Sequence, residues 1–437
     1  MHNVYFATLG CAKNEVDTSV MQGILRKEDY RVITSPDEAE VIIVNTCGFI
    51  ESAKEESIEC ILELAQLKAE NLRFLLLTGC LAQRYPDELR AEIPEIDGIM
   101  GPGYAEKLNE YLDALYRGEA STWVEKLEAA YVEGVREATG RVSEYVKIAE
   151  GCNNRCSYCI IPSLRGRNRS RKIEDIVQEV AMLCAHGTRE ILLVAQNTTD
   201  YGIDLYGRYA LADLLEALEE VENLHWVRLF YAYPDHIDER LIDVIGKSKK
   251  ILPYLDIPIQ HGSERILRLM GRRSRPEDLR ILFQKLREKI PGIVLRSTVI
   301  VGFPGETEED FEELLKFVND LSLDRLGAFI FSKEEGTIAA TLPNQVPENV
   351  AQERLSRLMA LQQEISEEKL AIRIGDTLEV LIEGTIEDGL YEGRSVLDAP
   401  EIDGVVYVRS ESPLALGSFV NVKITESMEH DLVGECL

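Results

Sequence analysis

The chain has 437 residues, of which 45% are hydrophobic and 29% charged, and this is typical of a globular protein with two or three domains. No apolar run approaches the roughly 20 residues that span a bilayer, so we expect no membrane association. With 48 basic and 77 acidic residues, the net charge is −29. A field of this sign opposes binding to phosphates and favours a basic partner, although it also serves solubility.

Residues 1–118 alternate between strand and helix patterns. The segment from Met1 to Gly10 is strand-like and too short for a signal peptide, so we expect a cytoplasmic protein. Apolar runs predict strands at 4–9, 41–44 and 74–77, with amphipathic helices between them. This alternation predicts a parallel α/β domain. The more polar residues 119–141 are typical of a linker.

A second α/β region covers residues 142–370. Its six predicted strands are 145–149, 190–195, 226–231, 254–257, 294–301 and 325–331. Six such units predict an open or partial (β/α) barrel, because a complete barrel has eight. Residues 347–374 then predict one long helix that ends at Gly375. Short strands with glycine-rich turns predict a small all-β barrel over residues 371–437, a tail that carries 4 basic and 14 acidic residues.

The most specific local pattern is C-x3-C-x2-C, formed by Cys152, Cys156 and Cys159 just after a predicted strand. Three thiolates on one loop can hold three irons of a cubane cluster and leave the fourth iron open to a small molecule. A zinc site is the alternative. Zinc motifs usually pair two cysteine knuckles, however, and this loop has no fourth ligand nearby.

Three further cysteines, Cys11, Cys47 and Cys80, each lie just beyond the carboxyl end of a predicted strand. Side chains at that edge of a parallel sheet gather in one crevice, so these thiols can hold a second cluster. Alternatively, each is a small buried hydrophobic residue. The three remaining cysteines fit neither pattern, and we expect two to be core residues and the last to be incidental: Cys60, Cys184 and Cys436.

Other patterns are less specific. The turn that begins at Gly302 lets the backbone approach a ligand or merely reverses the chain, and Thr307 with Asp310 can cap the next helix. The basic run 165–172 can bind a carboxylate or phosphate, or lie solvated. His261 lies near a strand end, and the residues around it give it no role.

Together these residues resemble the methylthiotransferase family of the radical S-adenosylmethionine (SAM) superfamily over nearly the whole chain. The loop motif, with Tyr158 before its last cysteine, resembles the radical SAM signature, and the other three cysteines and the tail complete a three-part layout. The resemblance implies an α/β fold class: an N-terminal parallel α/β domain, a central radical SAM partial (β/α) barrel and a C-terminal TRAM-like β-barrel.

The same resemblance implies three cofactors, namely two [4Fe–4S] clusters and S-adenosylmethionine. It implies that Cys152, Cys156 and Cys159 hold the cluster that binds S-adenosylmethionine. The thiols of Cys11, Cys47 and Cys80 would hold an auxiliary cluster that carries the sulfur to be transferred. The implied cofactor-binding residues are Tyr158, Gln196 and Gly302.

Three stretches, at residues 9–14, 256–263 and 398–404, resemble the RimO branch of that family, although Ala12 stands where the branch more often has proline. This branch methylthiolates the β-carbon of an aspartate in ribosomal protein S-twelve of the small subunit. Such a carbon is not acidic enough for an ordinary base, so a radical route is chemically reasonable.

The resemblance implies a basic partner, ribosomal protein S-twelve, free or in the small subunit, and a low-potential electron donor. The acidic tail agrees with this partner and argues against nucleic acid as the primary target. Two alternatives stay open. One is a transfer-RNA adenosine methylthiotransferase of the same architecture, and the other is a non-enzymatic iron–sulfur electron carrier.

Overall fold

The structure is a computed structural model, and it describes residues 1–119, 122–124, 127–129 and 131–437. The chain divides into two compact units. The first comprises Met1–Leu224 with Ser332–Ala340, and the second comprises His225–Phe331 with Thr341–Leu437. Over the ranges just given, none of the helices has the length and apolar character needed to cross a membrane.

The first unit begins with a parallel sheet covered by helices. Its strands are β1 (His2–Thr8), β2 (Tyr30–Val32), β3 (Val41–Thr46), β4 (Phe74–Thr78), β5 (Gly98–Met100) and β6 (Thr122–Trp123). Its helices are α1 (Ala12–Ile24), α2 (Glu51–Ala65), α3 (Gly79–Arg84), α4 (Pro86–Glu92) and α5 (Leu108–Tyr116). The strand order is β2-β1-β3-β4-β5-β6. Strand β6 lies inside the predicted linker and pairs with β5.

This sheet is buried on both faces, as the apolar runs of a parallel sheet require. Along β3, Ile42 and Val44 pack into one hydrophobic cluster, whereas Val41 and Ile43 pack into another. The alternation follows from the two-residue period of a strand. The predicted parallel α/β domain is confirmed.

The rest of the first unit contains the loop with three cysteines. Its strands are β7 (Ser143–Lys147), β8 (Ala149–Glu150), β9 (Arg169–Ser170) and β10 (Glu190–Val194). Its helices are α6 (Ile161–Arg165), α7 (Ile173–Ala185), α8 (Ile203–Tyr206) and α9 (Leu211–Glu219). Strands β7 and β10 pair in parallel, while β8 and β9 form a short antiparallel pair on either side of the cysteine loop.

The second unit continues the strand–helix alternation. Its parallel strands are β11 (Trp226–Leu229), β12 (Ile251–Asp256), β13 (Val294–Val301) and β14 (Arg325–Ile330). Its helices are α10 (Glu239–Lys247), α11 (Glu264–Leu269), α12 (Pro276–Lys289), α13 (Glu308–Leu321) and α14 (Glu348–Ala371). Six parallel strands therefore occur in the central region, which agrees with the predicted partial barrel. The described residues also include short 3₁₀ turns: Pro36–Glu38, Gln66–Ala69, Pro102–Lys107, Thr198–Asp200, Pro234–His236 and Ala339–Thr341.

The tail is a closed five-stranded barrel, which confirms the prediction of a small all-β domain. Its strands are β15 (Thr377–Glu387), β16 (Leu390–Ser395), β17 (Val406–Arg409), β18 (Phe419–Ser427) and β19 (Leu432–Cys436). Buried ion pairs tie it to the central strands of the same unit. Arg325 binds Asp398 at 2.5 Å, and Arg296 lies between Asp256 at 2.9 Å and Asp403 at 3.5 Å. Arg296 therefore links the stretch 256–263 to the stretch 398–404.

Candidate metal centres

The first triad, which we define as Cys152, Cys156 and Cys159, lies on the loop after β8. Gly151 has φ +78°, and a Cβ there would collide with the backbone oxygen of Arg167, so the position requires glycine. The Cys152 amide donates to the Gly166 carbonyl at 3.1 Å, and the Cys159 amide donates to the Cys156 carbonyl at 3.1 Å. These bonds fold the loop back on itself and gather its thiols.

The thiols of the first triad lie close enough to act on one another electrostatically. Burial raises the pKa of Cys152 to about 11, and the charge of Cys156 adds to this effect. Burial likewise raises the pKa of Cys159 to about 12, with contributions from Cys156 and Cys152. Metal binding requires thiolates, so iron must displace protons that these thiols hold firmly.

The second triad, Cys11, Cys47 and Cys80, comes from three strand ends that lie in register. Asn45 of β3 stands opposite Thr8 of β1 and Thr78 of β4. The cysteines follow these positions at one edge of the sheet. Gly10 has φ +88°, and a Cβ there would lie 2.5 Å from the Cys47 Cβ and 2.8 Å from its sulfur.

Burial and neighbouring charges act on the pKa of each thiol of the second triad. Burial raises the pKa of Cys47 to about 11, and both Cys80 and Cys11 add to the increase. Burial also raises the pKa of Cys80, although Arg165 opposes it. Burial alone would raise the pKa of Cys11, but the charges of Lys13 and Arg165 lower it overall. The structure brings Cys11, Cys47 and Cys80 to the same edge of the sheet, and their role as ligands stays a prediction.

A buried polar network lies beside the second triad. The Arg165 Nε donates to the Cys80 sulfur at 3.4 Å, and its Nη1 contacts Asp17 at 2.7 Å and Glu150 at 3.1 Å. Lys147 also binds both carboxylates. The basic run 165–172 is therefore not a solvated loop throughout, because both Arg165 and Arg171 are buried against carboxylates.

The donor set of each triad suits an iron–sulfur cluster better than a single ion. Within residues 1–119, 122–124, 127–129 and 131–437, no group of three His, Cys, Asp or Glu side chains could hold one metal ion. A cubane cluster does not need such convergence, since each thiolate binds a different iron. Three thiols in each site leave one iron without a protein thiolate, provided that each site holds a four-iron cluster.

The three residues that the family resemblance assigns to S-adenosylmethionine binding have different surroundings. Tyr158 is half-buried within the first-triad loop. The Gln196 Nε2 donates to Glu150 at 2.7 Å, and its Oε1 is buried with no hydrogen-bond partner among the residues described. Gly302 has φ +72°, and a Cβ there would lie 2.6 Å from the Ala351 Cβ. Close packing against α14 thus accounts for this glycine by itself.

Several weaker expectations are settled. Thr307 and Asp310 form a capping box at the start of α13. His261 is buried. Its Nδ1 accepts from the Ser263 amide at 2.9 Å, and its Nε2 lies 3.4 Å from Glu306, so His261 occupies a packing position. The cysteines outside the triads are a buried Cys184 in α7, a half-buried Cys60 in α2 and Cys436 at the end of β19.

Comparison with known proteins places these features in a family. Residues 146–318 match the radical SAM superfamily, residues 3–101 match the uncharacterized protein family UPF0004, and residues 374–437 match the TRAM domain. The chain is 48% identical to the ribosomal protein uS12 methylthiotransferase RimO of Clostridioides difficile (strain 630), over 100% of this chain and 99% of that protein. The chain belongs to the RimO family.

Other RimO relatives agree. The RimO of Pelotomaculum thermopropionicum is 50% identical over 98% of both chains, and that of Desulforamulus reducens is 49% identical over 100% of this chain and 99% of that protein. Among solved structures, the radical S-adenosylmethionine methyltransferase TsrM from Kitasatospora setae has a TM-score of 0.57 at 16% identity, over 75% of this chain and 73% of that one. At that identity the likeness concerns the fold alone.

Sequence reasoning missed the residues that surround the second triad. Asn14 and Asp17 lie on α1 and Glu150 lies on β8, and Arg165 is only one member of a basic run. The available signal was their position: each lies within a few residues of a triad cysteine or its strand.

Proposed function

We propose that this protein is a radical SAM methylthiotransferase that adds a methylthio group to the β-carbon of an aspartate in ribosomal protein uS12. The observation that carries the proposal is the presence of two separate three-thiol sites in a chain that matches RimO proteins over its whole length. Each site leaves room for a non-protein ligand on the fourth iron of a [4Fe–4S] cluster. An electron carrier would need neither open position.

The first triad is proposed to hold the [4Fe–4S] cluster that binds S-adenosylmethionine. The Gln196 Oε1 supports this assignment, because a buried amide oxygen without a partner is a position that a ligand's donor can satisfy. We assign Tyr158 and Gln196 to the wall of the cofactor site. For Gly302, a role in binding the cofactor is supported only by the resemblance to the methylthiotransferase family.

The second triad is proposed to hold the auxiliary [4Fe–4S] cluster. The cations of Lys13 and Arg165 act on these thiols and lower the pKa of Cys11, although burial alone would raise it. When bound, the two clusters and S-adenosylmethionine supply the substrate radical and the methylthio group. The protein's own contribution is to fix the thiols, exclude water and hold the target carbon in place.

The tail supports a basic protein partner. Asp398 is buried, but most other carboxylates of the barrel are exposed: Glu383, Glu387, Asp388, Glu401, Glu411, Glu426, Glu429 and Glu435. A surface of this charge attracts a cationic ribosomal protein and repels the RNA backbone. We also propose a low-potential electron donor, since reductive cleavage of S-adenosylmethionine needs an electron. Such a substrate places the reaction in the cytoplasm.

The test is an anaerobic reaction of the reconstituted protein with S-adenosylmethionine, sulfide and a strong chemical reductant. Purified uS12 and unmodified transfer RNA are offered separately, and mass spectrometry reads both products. We expect a methylthio mass gain on one aspartate of uS12. The gain disappears when Cys80 or Cys152 is replaced by alanine.

The matched control is Cys436→Ala, which removes a cysteine that lies outside both triads. It keeps the full mass gain if the triads alone carry the chemistry. A mass gain on adenosine of the transfer RNA, with none on uS12, contradicts the proposed substrate and leaves the radical chemistry intact. No cleavage of S-adenosylmethionine by the reduced wild-type protein contradicts the enzymatic function itself.

A further inference from the structure

Arg165 occupies an unusual place for an arginine. It is the last residue of α6, and only 3% of its surface is exposed. A buried guanidinium is costly unless its donors are matched by anions or acceptors. Its three nitrogens make four contacts, with Cys80, Asp17, Glu150 and Asn14.

Through its side chain Arg165 fixes the second triad. The Nε bond to the Cys80 sulfur is direct. The Nη2 donates to the Asn14 Oδ1 at 2.7 Å, and the Asn14 amide in turn donates to the carbonyls of Leu9 at 2.8 Å and Thr46 at 3.2 Å. These carbonyls belong to the strand ends just before Cys11 and Cys47. One guanidinium therefore contacts Cys80 directly, and through Asn14 it is linked to the chain segments that precede Cys11 and Cys47.

Through its neighbours Arg165 also reaches the first triad. The carbonyl of the next residue, Gly166, accepts the hydrogen bond of the Cys152 amide. On the other side, the Glu150 carboxylate that binds Arg165 at 3.1 Å also accepts from the Gly151 amide at 3.2 Å. The start of the first-triad loop is thus hydrogen-bonded to two groups next to Arg165.

The charges of the network balance, and one donor of Arg165 is directed at the Cys80 sulfur. Arg165 and Lys147 contribute two positive charges, and Asp17 and Glu150 contribute two negative charges. The Nη1 binds both carboxylates, whereas the Nε donates to the Cys80 sulfur. A thiolate at Cys80 would receive a charge-assisted hydrogen bond there. Hydrogen bonds to ligand sulfurs are among the features that set the reduction potential of an iron–sulfur cluster.

We propose that Arg165 is a positioning residue for the second triad, which binds the Cys80 ligand and raises the reduction potential of the auxiliary cluster above what the site would otherwise give it. The proposal rests on the proposed function, which assigns Cys80 as a ligand. The reduced cluster carries one more negative charge than the oxidised one. A buried cation at its ligand sulfur therefore stabilises the reduced form more.

The experiment compares Arg165→Gln and Arg165→Lys with wild type, all reconstituted anaerobically as full-length protein without substrate. Arg167→Gln is the matched control, since Arg167 lies in the same basic run but is exposed. The readouts are iron and sulfide content and a redox titration followed by electron paramagnetic resonance. A Cys80→Ala protein identifies which signal belongs to the auxiliary cluster.

We expect Arg165→Gln to shift the auxiliary midpoint potential in the negative direction and to leave the other cluster's potential near its wild-type value. Arg165→Lys keeps the charge but loses the directed Nε bond, so a smaller negative shift is expected. Arg167→Gln should match wild type. If Arg165→Gln does not fold, the lysine variant decides, because an unchanged potential in that protein contradicts the proposal.

Two other results would overturn it. Equal shifts of both clusters would mean that Arg165 acts only through the general electrostatics or stability of the unit. Wild-type potentials and iron content in both Arg165 variants would mean that the contact with Cys80 has no role. A wild-type protein that binds only one cluster, in contrast, refutes the ligand assignment of the proposed function and is recognised before any variant is made.

Discussion

The two cysteine triads differ in how the chain brings their thiols together. In the first triad all three cysteines belong to one loop, which its own backbone hydrogen bonds close. In the second triad, each cysteine follows a different strand, and the register of β1, β3 and β4 places them side by side. The first site therefore depends on local backbone geometry, and the second depends on the packing of a whole sheet.

The triads differ in charge as well. Burial dominates in the first triad and raises the pKa of Cys152 and Cys159. In the second triad burial likewise raises the pKa of Cys47 and Cys80, but the charges of Lys13 and Arg165 lower the pKa of Cys11 overall. Of the two triads, the second therefore includes a thiol whose pKa nearby cations hold below its ordinary value.

The largest expected effect comes from removing one cysteine of each triad. Cys152→Ala should abolish both cleavage of S-adenosylmethionine and methylthio transfer. Cys80→Ala should abolish transfer but retain cleavage, since the first triad is locally built. Chromatography of 5′-deoxyadenosine measures cleavage, and mass spectrometry of uS12 measures transfer. Iron content should fall to about half in either variant if each triad holds its own four-iron cluster.

Complete loss of cleavage in Cys80→Ala would contradict the independence of the two sites. Cys60→Ala serves as the control, because this half-buried cysteine of α2 lies outside both triads. It should keep the full iron content and both activities.

Sequence alone is enough to propose both triads, for different reasons. The first is a spacing motif, which needs no knowledge of the fold. The second follows from strand ends in a parallel sheet, because β1, β3 and β4 are long apolar runs that periodicity detects. The three-residue strands β2 and β5 and the two-residue strand β6 are too short for such a signal.

Sequence reasoning could not single out Arg165. Six of the eight residues from Arg165 to Lys172 are basic or amide-bearing, and a linear pattern does not show which side chain is buried. Burial of Arg165 depends on carboxylates contributed by α1 and β8, which lie far apart in the sequence. Partners of this kind are set by tertiary contacts and not by local propensity.

An intermediate effect is expected from Gly10→Ala. At φ +88° an alanine costs about 1–2 kcal/mol in backbone strain, and its Cβ would also displace the side chain of Cys47. We therefore expect lower iron at the second triad and reduced methylthio transfer, with cleavage of S-adenosylmethionine preserved. Gly118→Ala is the control for strain alone, since Gly118 has φ +78° and nothing lies within 4 Å of its added Cβ. Equal losses in both variants would mean that strain, and not the approach to Cys47, matters at Gly10.

The smallest expected effect concerns Ser57, whose buried hydroxyl accepts from the Cys47 amide at 3.0 Å and donates to the Cys47 carbonyl at 2.9 Å. Ser57→Ala leaves both backbone groups without this partner, which costs about 1–3 kcal/mol in the free energy of unfolding. Chemical denaturation of the iron-free protein measures that loss, and Ser52→Ala on the exposed side of the same helix should change it little. The iron content of the first triad should stay at the wild-type level in Ser57→Ala. A loss of iron from both triads would contradict this independence. It would show that the sheet carrying the second triad and the loop carrying the first are destabilised together.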